Sequence, residues 1–79
     1  MDSRLYLLND DIHSFEEVVY VLQRYLGYPS LQGASIAELV HRTGKCEIKI
    51  GDFEELELLK EMLLKEGYNV TLENDYEGY

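Results

Sequence analysis

Three acceptor-rich side chains, Asn9, Asp10 and Asp11, stand in a row directly behind an apolar run, Leu5 to Leu8. Ser14 and Glu17 follow at the spacing of a capping box, in which each side chain satisfies the other residue's backbone N–H at the start of a helix. A strand therefore leads in, a helix leads out, and the tip between them carries one amide and two carboxylates. Acceptors gathered at the rim of two apolar elements suit a cation or an ammonium group. Asp and Asn are also the residues that turns and caps prefer, and the stretch alone leaves both readings open.

The elements that must position this tip follow from periodicity. Residues 4–8 read as a strand that is apolar on both faces. A first helix is predicted over residues 14–26, where Phe15, Val18, Val19, Leu22, Tyr25 and Leu26 recur at three and four. Gly27 and Pro29 end it. A second helix is predicted over residues 31–42 with Ser30 as its cap and Gly44 as its stop. Gly33 costs that helix about 1 kcal/mol relative to Ala. Cys46, Ile48 and Ile50 alternate with Glu47 and Lys49, as in a strand with one wet face. Asp52 then caps a third helix with Phe53, Leu56, Leu59, Met62 and Leu63 as its apolar face, and Gly67 ends it. Residues 68–73 form the last strand, and residues 74–79 are expected to be a mobile acidic tail. The expected fold is α+β: one two-layer domain over residues 1–79, core 4–73, ordered β-α-α-β-α-β, with three helices covering a three-stranded sheet.

Composition narrows the functions open to such a domain. Sixteen acidic against seven basic residues leave a formal charge of −9, which gives no electrostatic footprint for nucleic acid and repels anionic membrane surfaces. Positively charged or ammonium-bearing partners are favoured. One cysteine, Cys46, rules out an internal disulfide. No apolar run approaches membrane-spanning length, so a cytoplasmic monomer is the default expectation.

Taken together, the segments resemble one known family. Leu8-Asn9-Asp10-Asp11, followed by the Phe15-Glu16-Glu17-Val18-Val19 helix start, resembles the signature of the ClpS family. The later Leu39-Val40-His41-Arg42-Thr43-Gly44-Lys45 resembles its Val-His-x-x-Gly-Lys segment, and Val70-Thr71-Leu72-Glu73 its last strand. The resemblance runs over residues 5–73 and implies the same element order. It also implies an adaptor of the Clp protease that binds substrates through a free N-terminal residue and passes them to a AAA+ Clp unfoldase.

An α-ammonium group carries three donors and titrates near about 7.7, so its recognition needs several acceptors around one point. Asn9 offers a carbonyl oxygen, Asp10 a carboxylate able to make a charge-assisted bond, and His41 a neutral ring nitrogen. By resemblance Asn9, Asp10 and His41 match the family's ammonium-binding residues, with Asp11 in support. The adjoining pocket for a bulky apolar first side chain would be walled by Leu7, Phe15, Val18, Ala37 and Val40. Phe15 and Ala37 each stand where the family usually has Met, and Ile12-His13-Ser14 replaces an aromatic-Thr-Pro run. The family's flexible extension before the first strand is matched only by Met1, Asp2 and Ser3, so poor unaided hand-over is expected.

Three other classes compete. Cys46 and His41 would be the thiol and imidazole of an enzyme, but Cys46 alternates with inward-facing residues and reads as an inert core thiol. Asp10, Asp11, His13 and His41 would be the ligands of a metal site, which turn preferences explain as well. An interaction domain without N-terminal recognition would use the acidic third helix, Glu54, Glu55, Glu57 and Glu61, although a solvated face is the simpler account. The expectation is a binding protein with no catalytic residues, no metal and no cofactor.

Overall fold

The computed structural model describes residues 2–74. β1 (Ser3–Leu8) is the middle strand of an antiparallel sheet, between β2 (Lys45–Gly51) and β3 (Asn69–Asn74). Its side chains alternate as the pleat requires: Ser3, Leu5 and Leu7 are buried, and Arg4, Tyr6 and Leu8 are half-buried on the other face. That second face was expected to be as well covered as the first. Among the described residues, its contacts are with side chains of the neighbouring strands. Arg4 pairs with Glu47 at 3.0 Å, Lys45 with Glu73 at 3.7 Å, and the Lys45 ammonium sits 4.7 Å above the Tyr6 ring. These exposed pairs keep the face soluble more than they stabilise it.

The helices α1 (Phe15–Leu26), α2 (Ser30–Thr43) and α3 (Phe53–Lys65) lie on the Leu5–Leu7 face, which completes the order expected from sequence. Leu22 of α1, Val40 of α2, and Leu56 and Leu63 of α3 meet Leu5, Leu7 and Ile48 in one core. Burying these side chains, at about 1.5–3 kcal/mol each, is what holds the two layers together. α1 packs chiefly on α2, and α3 on β3.

Several boundaries and faces differ from expectation. Opposite Leu5 the β2 strand carries an extra residue: Lys49 pairs with Leu5 and Glu47 with Tyr6, leaving Ile48 as a bulge. The bulge shifts the alternation by one, so Ile48 is buried while Ile50, opposite Arg4, is 46 % exposed. Tyr28 secures the bulge by donating its hydroxyl to the Ile48 carbonyl. On α1, Val21 joins Leu22 as the fully buried pair, and Phe15 stands half in solvent. On α3, Phe53 and Met62 are exposed, leaving Leu56, Leu59 and Leu63 to face the core. Ser30 is inside α2, whose cap position is Pro29, and Asp52 caps α3 without a side-chain hydrogen bond. The Ser14–Glu17 capping box forms as expected, with bonds of 2.8 and 3.2 Å. Of the expected tail, Asn74 ends β3 and residues 75–79 lie outside the described residues.

Candidate functional site

The acceptor-rich tip is pinned from two sides. On one side the Asn9 N–H donates to the Gly44 carbonyl at 2.9 Å. Gly44 is the residue that ends α2, in the left-handed region at φ +98°, and its own N–H closes on the Val40 carbonyl. The strand end is thus tied to the last turn of α2, which carries His41. A backbone bond three residues beyond His41 is what brings residues distant in sequence to one rim.

On the other side Asp10 folds inward. One carboxylate oxygen accepts the N–H of Ile12 at 2.9 Å and that of His13 at 2.8 Å, forming an Asx turn. The other lies 2.9 Å from Nδ1 of His13. Burial alone would raise the pKa of this carboxyl. The His13 N–H, the His13 ring and the Ile12 N–H outweigh it and hold the carboxyl below its usual range. The His13 ring stacks on Tyr68, with centroids 3.8 Å apart and planes 16° from parallel. Tyr68 is 6 % exposed and donates its hydroxyl to the Glu17 carbonyl at 3.1 Å. Burial, with the carboxylates of Glu17, Asp10 and Glu66 around it, pushes the Tyr68 phenol up to about 12.

Between these two supports opens a cleft of about 370 Å³. Asn9, Asp10, Asp11 and His41, the four polar residues singled out from sequence, all line it, as does Phe15. Asn9, Asp11 and His41 are exposed, whereas the Asp10 side chain is only 10 % exposed and engaged in the turn. His13 and Ser14 complete the lining. His13 was weighed from sequence only as one of four metal ligands and was not expected to line the binding cleft. Its signal was the spacing Asp10-x-x-His13 inside a turn, which lets a carboxylate that accepts the third residue's amide reach that residue's ring as well.

The apolar residues are placed differently from the polar ones. Of Leu7, Phe15, Val18, Ala37 and Val40, only Phe15 lines the cleft. Leu7, Ala37 and Val40 are buried, and Val18 packs against the core from its edge. Phe15 also borders an apolar groove of about 260 Å³ between α1 and α2, whose walls include Val19 and Ala34. A third depression, of about 360 Å³, lies on the far side of His13 among Tyr20, Tyr68 and the carboxylates of Glu16, Glu17 and Glu66.

The competing chemistries find different surroundings. Cys46 is half-buried, its thiol points at the Glu47 carbonyl at 3.4 Å, and burial with Glu47 nearby raises its pKa, which disfavours a thiolate nucleophile. Among the described residues no group of three or more His, Cys, Asp or Glu converges as a metal ion would need. On α3, Glu54, Glu55 and Glu61 face solvent and Glu57 is half-buried. No helix among the described residues is long and apolar enough to cross a membrane.

Comparison with known proteins bears on the family and the fold. The family model of the ATP-dependent Clp protease adaptor protein ClpS matches residues 2–73. Among curated proteins, E3 ubiquitin-protein ligase UBR2 from Homo sapiens is 30 % identical over 59 residues, and its Mus musculus counterpart 29 % over 59. These residues make up 75 % of the chain and about 3 % of the length of either ligase. Among solved structures, ClpS2 of Agrobacterium tumefaciens bound to L-phenylalaninamide superposes with a TM-score of 0.79 at 20 % identity, covering 94 % of this chain and 96 % of that one.

Proposed function

The chain belongs to the ClpS family of adaptors for the ATP-dependent Clp protease, and from that premise we propose that it binds the free N-terminal residue of substrate proteins and presents them to the Clp unfoldase. The observation that carries this reading is the convergence of Asn9, Asp11 and His41, three exposed acceptors from two separate elements, around one cleft beside the aromatic ring of Phe15. Three acceptors match the three donors of an α-ammonium group, and one of them is charged. The reading is supported by the ligand of the Agrobacterium tumefaciens protein, L-phenylalaninamide, which combines a free α-amine with an aromatic side chain.

In this reading Asn9 supplies its side-chain carbonyl, His41 a neutral ring nitrogen, and Asp11 the carboxylate. Asp10, given the carboxylate role on sequence grounds, holds the turn instead, because its oxygens already receive two backbone N–H groups and face the His13 ring. The bulky apolar first side chain lies against Phe15. The preference for an ammonium group agrees with the net charge of −9.

The test is calorimetric titration with two peptides that begin with Leu and differ only in acetylation of the N-terminus. The free peptide binds and the acetylated one does not. Equal affinities would remove N-terminal recognition and leave an interaction domain of ClpS-like fold.

A further inference from the structure

His13 lies at the meeting point of a closed circuit of contacts. Its Nδ1 faces Oδ2 of Asp10 at 2.9 Å, and its ring lies on Tyr68. The Tyr68 hydroxyl reaches the Glu17 carbonyl, and the Glu17 side chain accepts the N–H of Ser14, the residue directly after His13. The fourth side is Gly67, where an added Cβ would stand 3.6 Å from Cε1 and 3.7 Å from Nε2 of the ring. The loop between β1 and α1 is therefore tied to the start of β3 through one imidazole. Asp11 and Ile12, the residues between the two ends of the Asx turn, are themselves exposed.

We propose that His13 is a positioning residue for the recognition turn: held between the Asp10 carboxylate and the Tyr68 ring, it sets the placement of Asn9 and Asp11 and passes its own protonation state into ligand affinity. The geometry stands by itself, and the consequence for affinity rests on the N-terminal recognition reading. The chemistry is specific. Asp10 as a carboxylate only accepts, so Nδ1 must carry a proton, either in the neutral Nδ1–H tautomer or in the imidazolium. Protonation of the ring then turns a neutral-donor bond into a charge-assisted one and tightens the turn. The titratable groups that line the two clefts beside the ring are Asp10 and Asp11 from the turn, Glu16, Glu17 and Tyr20 from α1, His41 from α2, Glu66 from the end of α3 and Tyr68 before β3. Of these only His41 can carry a positive charge, and the carboxylates outnumber it.

Two variants and one spectroscopic readout test this. Asn places its amide nitrogen where His carries Nδ1, so His13→Asn keeps the donor to Asp10 but can neither ionise nor stack as a ring. His13→Ala removes the donor outright. In the unliganded wild type, an NMR titration is expected to show the backbone amides of Asn9, Asp11 and Ile12 shifting with the same midpoint as the His13 ring. His13→Asn abolishes that shared midpoint. Against a Leu-initiated peptide near neutral pH, His13→Ala binds about tenfold more weakly, the scale of a lost hydrogen bond to a charged group, and His13→Asn recovers most of the loss. Turn amides that ignore the His13 titration would overturn the proposal, as would His13→Ala with unchanged turn shifts and wild-type affinity. If the wild type fails to tell free from acetylated peptides, the recognition reading falls, and the shared midpoint alone still decides the positioning role. If His13→Ala does not fold, the comparison of wild type with His13→Asn decides it.

Discussion

The N–H of Asn9 donates to the carbonyl of Gly44 at 2.9 Å, joining the residue just past β1 to the residue that ends α2. This bond sets the distance between Asn9 and His41, because His41 lies on the helical turn that Gly44 closes. Gly44 holds φ +98°, and a Cβ there would meet nothing within 4 Å. The cost of Gly44→Ala is therefore conformational, with no steric clash, on the order of 1–2 kcal/mol. Chemical denaturation is expected to show that loss. Peptide affinity is expected to fall as well, since relaxation of the αL residue moves the carbonyl that Asn9 uses. An affinity unchanged in a destabilised variant would separate Gly44 from the site.

The two aspartates of the tip are expected to respond in opposite ways. Asp11 is exposed, so Asp11→Asn leaves stability within about 0.5 kcal/mol, as for surface positions generally. It weakens binding of a free N-terminus by about 1.5–3 kcal/mol, the scale of a charged hydrogen bond. Asp10→Ala strips the Ile12 and His13 amides and the His13 ring of their acceptor and lowers stability and affinity together. Paired thermal melts and titrations of both variants check this. A large affinity loss with unchanged stability for Asp10→Ala would return the ligand-binding role to Asp10.

The same contacts set the pH limits of the fold. The folded-state pKa of Asp10 lies below its ordinary value of about 3.9. The unfolded chain therefore takes up the proton first, and the stability Asp10 contributes is complete above about pH 3.9 and lost as pH falls through the depressed folded value. Tyr68 works at the other end. Its folded pKa of about 12 exceeds the unfolded value of about 10, so its contribution is complete below about pH 10 and lost as pH rises through the folded value. Denaturation midpoints across pH are expected to fall on both limbs. Asp10→Asn flattens the acid limb. Tyr68→Phe, which keeps a ring under His13, flattens the alkaline one and removes the late-ionising phenolate from the absorbance titration.

Much of this geometry was legible in the residues themselves. The Ser14–Glu17 box and the Gly27 stop are local signals, and each is decided within a few residues. The convergence of Asn9 with His41 needed the pattern of the whole chain, because the bond that makes it joins Asn9 to Gly44. What escaped was set by pairing and crowding. The Ile48 bulge turns Ile50 outward although the text alternates cleanly through it, since a bulge is a property of two strands and not of one. Phe53 and Met62 lie on the apolar stripe that the periodicity of α3 predicts, but only Leu56, Leu59 and Leu63 are buried. The bonds of the Asp10 carboxylate to the Ile12 and His13 amides were not foreseen, because an Asx turn is set by backbone angles that the residue types allow but do not dictate.

The position of the apolar subsite is decided by two substitutions that act in different places. Ala37, expected to floor the pocket, is 3 % exposed, so Met there adds bulk to packed surroundings. Ala37→Met is expected to cost about 1–3 kcal/mol of stability by overpacking, with little change in the relative affinities of Trp-, Phe- and Leu-initiated peptides. Phe15 is 46 % exposed and borders both the polar cleft and the α1–α2 groove beside Val19 and Ala34. Phe15→Ala removes the apolar surface nearest the acceptors. Because Phe15 is half in solvent, the fold tolerates its loss better than that of a core residue, whereas a side chain docked on it loses contact worth about 1–2 kcal/mol, close to tenfold in affinity. The loss is expected to be larger for Phe- and Trp-initiated peptides than for Leu, since the larger rings cover more of Phe15. If Ala37→Met keeps its stability and rejects the large aromatic first residues, the subsite lies inward, against Leu7, Val18 and Val40, and Phe15 is its gate, with no docking role of its own.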